Sequence, residues 1–165
     1  MGTQQILLIV LSVIIVGAAI GVGIEMFNAQ SYSANKSAIA ADAQLYGTMV
    51  IQYYKTPTSL GGAGHNFSRG GESANPAADI GSFMGWGLDD GVYDNGPEVV
   101  ENENGKFTVS MADDKTVLIT SVGNEVRSGK RAQVVTTITL PEGKITAVLS
   151  DVPAEDDILS SLAID

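Results

Sequence analysis

The chain opens with an apolar stretch that no charge interrupts. From Ile6 to Ile24 the residues are aliphatic or small, and Glu25 is the first ionisable side chain. A run of about 19 such residues is long enough to cross a bilayer core as a helix. Behind it the pattern changes. Phe27, Ala34, Ala38, Ala41, Leu45 and Met49 recur mostly in steps of three and four, the spacing of one helix face. Asn35, Lys36, Asp42 and Gln44 fall off that stripe. Thr56-Pro57 is a stop signal, because the residue before proline is pushed out of helical geometry. One helix, or two nearly continuous ones, is therefore expected from about residue 3 to about 55, roughly 80 Å in all.

Residues 58 to 98 carry no long pattern. Clusters of Gly, Ser, Asn and Pro break them up, and one short helix is expected, capped by Asn75 with Pro76 in its first turn. Phe83, Met84 and Trp86 are expected to pack onto the domain. From Val99 onward the period switches to two. Asn104-Gly105 signals a hairpin, and Val134, Thr136, Ile138 and Leu140 alternate as one half-buried strand face. Successive strands with short connections argue for an antiparallel meander whose apolar side faces the helix. In the tail, Pro153 with the acids behind it suggests a short helix with Ile158 and Leu162 inward; a last edge strand is the alternative. The expected fold class is α+β: a long N-terminal helix, apolar in its first half and amphipathic in its second, packed on a small antiparallel sheet. The segments are 1–55 for the helix, 56–98 for the Gly-rich loop region and 99–165 for the meander and tail.

Charge and composition narrow the function. The 165 residues carry a formal net charge of -10, all of it downstream of residue 24. Such a surface repels phosphate backbones, so no nucleic-acid partner is expected. With no cysteine there is neither a disulfide framework nor a thiolate metal site. The single histidine, His65, lies in a glycine-rich loop and reads as a solvated residue. No nucleophile–base set can be assembled, so neither catalysis nor a cofactor is expected. Asp89, Asp90, Asp94 and Glu98 are weak candidates for calcium, because their spacing does not follow the alternation of a cation-binding loop. Asn35 and Asn66 stand in Asn-x-Ser patterns for glycosylation. Arg127, Lys130 and Arg131 cluster at an expected hairpin tip, placed to meet an acidic neighbour in an assembly.

The apolar-then-amphipathic helix and the stretch Thr116 to Leu140, "TVLITSVGNEVRSGKRAQVVTTITL", together resemble the type IV pilins and pseudopilins. In the second, a β run ends in Ser121-x-Gly123, a basic turn follows, and a Val/Thr-rich β run closes it. The resemblance implies a structural subunit that is anchored in the inner membrane before assembly. It then joins many copies of itself in an extracellular helical filament at the cell surface, through a pilus assembly machinery, and serves adhesion or motility. Assembly would rest on Met1, Gln5, Ile14, Gly17, Gly21, Gly23 and Glu25. Met1 is expected to be the first residue of the functional subunit, with Gln5 where the family's glutamate stands. Gly17 to Gly23 form either a smooth packing patch, a point where the helix melts, or ordinary membrane-helix composition. The alternative is a single-pass surface protein whose outward β domain binds a ligand.

Overall fold

In the computed structural model, which describes residues 2–67, 76–86 and 98–154, one unbroken helix dominates. Helix α1 runs Thr3–Lys55. It ends where the sequence requires: Thr56 is extended at φ -72°, ψ 131°, immediately before Pro57. The chain then turns back over the helix end. Backbone N–H groups of Ala63, Gly64 and His65 donate to the carbonyls of Tyr53, Thr56 and Tyr54 at 2.9–3.0 Å, which satisfies acceptors that a helix C-terminus leaves open.

Helix α2, Pro76–Phe83, begins at the expected proline. Asn75, its expected cap, lies outside the described residues. Five strands follow: β1 Glu98–Glu101, β2 Gly105–Asp113, β3 Thr116–Arg127, β4 Lys130–Thr139 and β5 Lys144–Pro153. They form one sheet in the order β1-β2-β3-β4-β5, every neighbour antiparallel. This is the expected meander, and the α+β class holds.

One sheet face packs on the second half of α1. Phe107 and Val109 of β2, Val117 and Ile119 of β3, and Val134 and Ile138 of β4 are fully buried there. Against them α1 sets Ile39, Ala43, Gly47, Val50, Tyr53 and Tyr54. Aromatic rings close the far end. Tyr46 meets Trp86 and Phe107 edge-on, each at 5.2 Å, and Tyr53 lies against Phe67 and Phe83. Trp86 is thus a core residue, as expected.

The helix face in contact with the sheet is not the expected one. Phe27, Ala34, Ala41 and Leu45 are exposed, Leu45 by 53%, and Ala38 and Met49 are only half-buried. At 100° per residue these positions lie on the side of α1 turned away from the sheet. The sheet-facing side mixes Tyr, Ile and Val with Asn35, Asp42 and Gly47, and the outer side mixes Phe27, Ala34, Ala41 and Leu45 with Gln30, Ser37 and Thr48. The polar members of the sheet-facing side have a reason to be there. Asp42 Oδ2 accepts from Asn102 Nδ2 at 3.0 Å and Asn104 Nδ2 at 2.8 Å, and Asn35 Nδ2 donates to the Asn104 carbonyl at 2.7 Å. The β1–β2 turn therefore docks on the helix through hydrogen bonds.

Two glycines set the spacing. At Gly47 an added Cβ would stand 3.3 Å from Ile145 Cδ1, so the helix rides close over β4 and β5. At Gly123 an added Cβ would collide with Asn35 Oδ1. The expected tail helix behind Pro153 falls on residues outside the described ones. Pro153 itself ends β5, an edge strand, where a missing N–H is tolerated. The remainder of the tail, with Ile158 and Leu162, lies outside the described residues.

Candidate assembly and membrane surface

The second half of α1 belongs to the head; the first half packs against none of the other described elements. Every residue from Gly2 to Phe27 is exposed. The large apolar side chains among them, from Ile6 through Ile24 to Met26 and Phe27, stand 53–72% open. Aliphatic surface in this amount is not stable in water, since each fully buried Leu or Ile contributes about 1.5–3 kcal/mol relative to exposure. The most hydrophobic 18-residue window of α1 has a mean hydropathy of 2.9, and none of it is buried. Among the described residues there is therefore one helix, near the N-terminus, long and apolar enough to cross a membrane.

Gln5 lies in the first turn, its N–H donating to the Gly2 carbonyl at 2.9 Å. Ile14 is 62% exposed at the middle of the rod. Around Gly17, Gly21 and Gly23 nothing lies within 4 Å of an added Cβ, and the helix passes through all three unbroken. Glu25 is exposed at the end of the rod. Met1 lies outside the described residues.

The outer stripe extends this apolar surface past the length of a bilayer. Phe27, Ala34, Ala41 and Leu45 continue it along the side of α1 opposite the sheet, interleaved with the uncharged Gln30, Ser37 and Thr48. The head covers one side of the helix and leaves the other open.

Where the rod enters the head, a polar clasp fixes its exit. Asp151 of β5 accepts from Tyr32 Oη at 2.9 Å and from Lys36 Nζ at 3.1 Å. The Lys36 ammonium, then the Tyr32 hydroxyl, hold the Asp151 carboxyl below its ordinary pKa. Partial burial, then the neighbouring Asp151, raises that of Tyr32. Sequence reading missed this clasp. Its one local signal was Tyr32 and Lys36 four residues apart, and so on one helix face.

Arg127, Lys130 and Arg131 come together as expected, at the β3–β4 hairpin. Its two-residue turn, Ser128-Gly129, has positive φ at both positions, 52° and 73°, the geometry that matches strand twist. His65 is exposed and sits edge-on to Tyr54 at 5.3 Å. Asn66 is exposed, but the Ser68 of its pattern lies outside the described residues. Asn35 is half-buried, and the Nδ2 that a glycan would need is given to Asn104. Asp89, Asp90 and Asp94 lie outside the described residues, as does the side chain of Glu98. Among the described residues no three His, Cys, Asp or Glu side chains group as metal ligands.

No protein-family model, no curated protein and no solved structure matches this chain.

Proposed function

We propose that the protein is the structural subunit of a pilus-like helical filament. Before assembly the rod of residues 3–24 resides in the membrane. In the filament it packs against the rods of other copies. The observation that carries this reading is the continuation of an open, uncharged face beyond Ile24, through Phe27, Ala34, Ala41 and Leu45 with Gln30, Ser37 and Thr48 between them. A bilayer anchor needs only about 20 residues. A further stripe of uncharged side chains, facing away from the protein's own sheet, suits a neighbouring helix along the length of α1. Once the rod leaves lipid, copies of itself are the apolar surface at hand. Burying a few of its large side chains against them then outweighs exposed ion pairs, each contributing about 0–1 kcal/mol.

The test is Ile14→Asp in the full chain, with negative-stain imaging of sheared cell-surface material. The wild type gives filaments. The variant still enters the membrane fraction, where one acid costs about 3 kcal/mol, but gives none. Normal filaments from the variant would refute the packing role. Membrane-resident wild-type protein that never forms filaments would favour the single-pass receptor instead.

A further inference from the structure

We propose that the β3–β4 hairpin tip is a second membrane contact, its Arg127, Lys130 and Arg131 seated on anionic phospholipid headgroups of the same bilayer that residues 6–24 span. This rests on the membrane-resident state of the function proposed above, and not on the filament.

Contacts between α1 and the sheet set the level of the hairpin along the helix axis. Asn35 reaches Gly123 and Asn104, while Gly47 sits over Ile138 and Ile145 and Ile51 reaches Gly143. From Asn35 to Gly47 the helix advances about 18 Å. From Ala132, beside Gly123, to Ile138 strand β4 advances about 20 Å. The two axes are therefore nearly aligned, and heights on one can be read from the other.

Gly129 lies three residues beyond Ala132 toward the helix N-terminus, about 10 Å lower. That places the turn level with about Asn28, roughly 6 Å above Ile24 where the apolar run stops. The headgroup layer on each side of a bilayer is about 5–8 Å deep. The turn thus falls at headgroup depth when the rod spans the core.

What stands at that depth is unusual for this chain. The molecule is acidic, at net -10. Yet its membrane-facing tip carries Arg127 and Lys130, both exposed, and Arg131, half-buried with its Nε enclosed, and Val126 is 49% exposed beside them. Among the described residues the acids nearby are Glu125 on the same arm, Glu25 on α1, and Asp151, which is already held by Lys36 and Tyr32. Ala154 donates its N–H to the Gly129 carbonyl at 2.9 Å, and Glu155, Asp156 and Asp157, which follow it in the sequence, lie outside the described residues. Extra residues in β3 between Val122 and Val126 break the register. An irregularity of this kind re-aims a strand end. Long basic side chains lay their stems on apolar surface and place their charge among phosphates. Each basic residue near an anionic surface raises occupancy about fivefold, so three together give at most on the order of a hundredfold, and each acid held at the same depth reduces it.

The chain lacks cysteine, so single spin labels are clean reporters. The full-length protein carries a label at Ser128→Cys or, as a depth standard, at Ile14→Cys. It is reconstituted into vesicles of phosphatidylcholine alone or of phosphatidylcholine with phosphatidylglycerol, and label depth is read from collision with a water-soluble relaxant. The Ile14 position reads as bilayer core in both. The Ser128 position becomes shielded only with phosphatidylglycerol, and is released by high salt, by charge reversal at all three cations, and by the milder pair Arg127→Gln/Lys130→Gln. Trp86 fluorescence checks that the head stays folded in each variant. A Ser128 label equally open in both vesicle types overturns the proposal while leaving the anchor intact. Shielding that follows protein density rather than lipid charge also overturns it, and assigns the hairpin to another copy. An Ile14 label outside the core overturns the anchor and the proposal together.

Discussion

Replacing Asp42 with alanine removes the acceptor that joins the β1–β2 turn to α1. Asp42 Oδ2 takes two hydrogen bonds, from Asn102 and Asn104. Bonds to a charged acceptor contribute about 1.5–3 kcal/mol each when buried. These are half-buried, so the low end applies, or about 3 kcal/mol for the pair. Alanine is the better helix former by about 0.6 kcal/mol, which offsets part of the loss. The expected net cost is about 2.4 kcal/mol, and Tm should fall by on the order of 10 °C for a head of this size. The assay is urea unfolding in mild detergent, followed by the single tryptophan, Trp86, which is buried against Tyr46. Asp42→Asn keeps one acceptor oxygen without the charge and should lose about half as much. If Asp42→Ala stays within about 0.5 kcal/mol of wild type, the turn is held by packing alone and the reasoning fails.

Acid should loosen the clasp at Asp151. Its carboxyl is held below the ordinary value by Lys36 and Tyr32, so the contact is intact above about pH 4 and is lost as pH falls through the depressed value. The hydrogen-exchange protection factor at the β5 end, with the intrinsic pH dependence of amide exchange divided out, should fall at low pH in wild type and stay constant in Asp151→Asn, which checks this. Gly123→Ala should cost about 1–2 kcal/mol, because the new methyl displaces Asn35 from the Asn104 carbonyl. In an Asn35→Ala background the same change should cost much less, a coupling that a double-mutant cycle reads directly. Phe107→Ala, which empties a fully buried site under Tyr46, should cost about 3–5 kcal/mol in the same unfolding assay.

The long helix was readable because its signals are local. An uncharged run sets its first half and Thr56-Pro57 its end. The strands were readable because Val134 to Leu140 alternate on a sheet with one buried face. The face of α1 that docks was not readable. A residue's periodicity says that a stripe exists, not which neighbour covers it. The stripe read from the sequence, Phe27 to Leu45, turned out to be the outer one. Asn35 and Asp42 looked like solvent residues, since their partners lie 60 or more positions away in the turn Asn102–Asn104. Pro153 carried the signal of a helix start for residues outside the described ones, and its own place at the sheet edge is decided by pairing with Lys130 across β4. The rod itself was plain from composition. That its outer surface continues along the head needed the packing.

The central claim concerns the rod in assembled material, and electron cryomicroscopy of sheared surface filaments tests it most directly. The account predicts a helical array in which residues 3–30 of each copy lie against the same segment of its neighbours, with the outer stripe through Leu45 also covered. Preparations that hold the protein only as separate copies, with residues 3–24 surrounded by lipid and the outer stripe open to solvent, would contradict it.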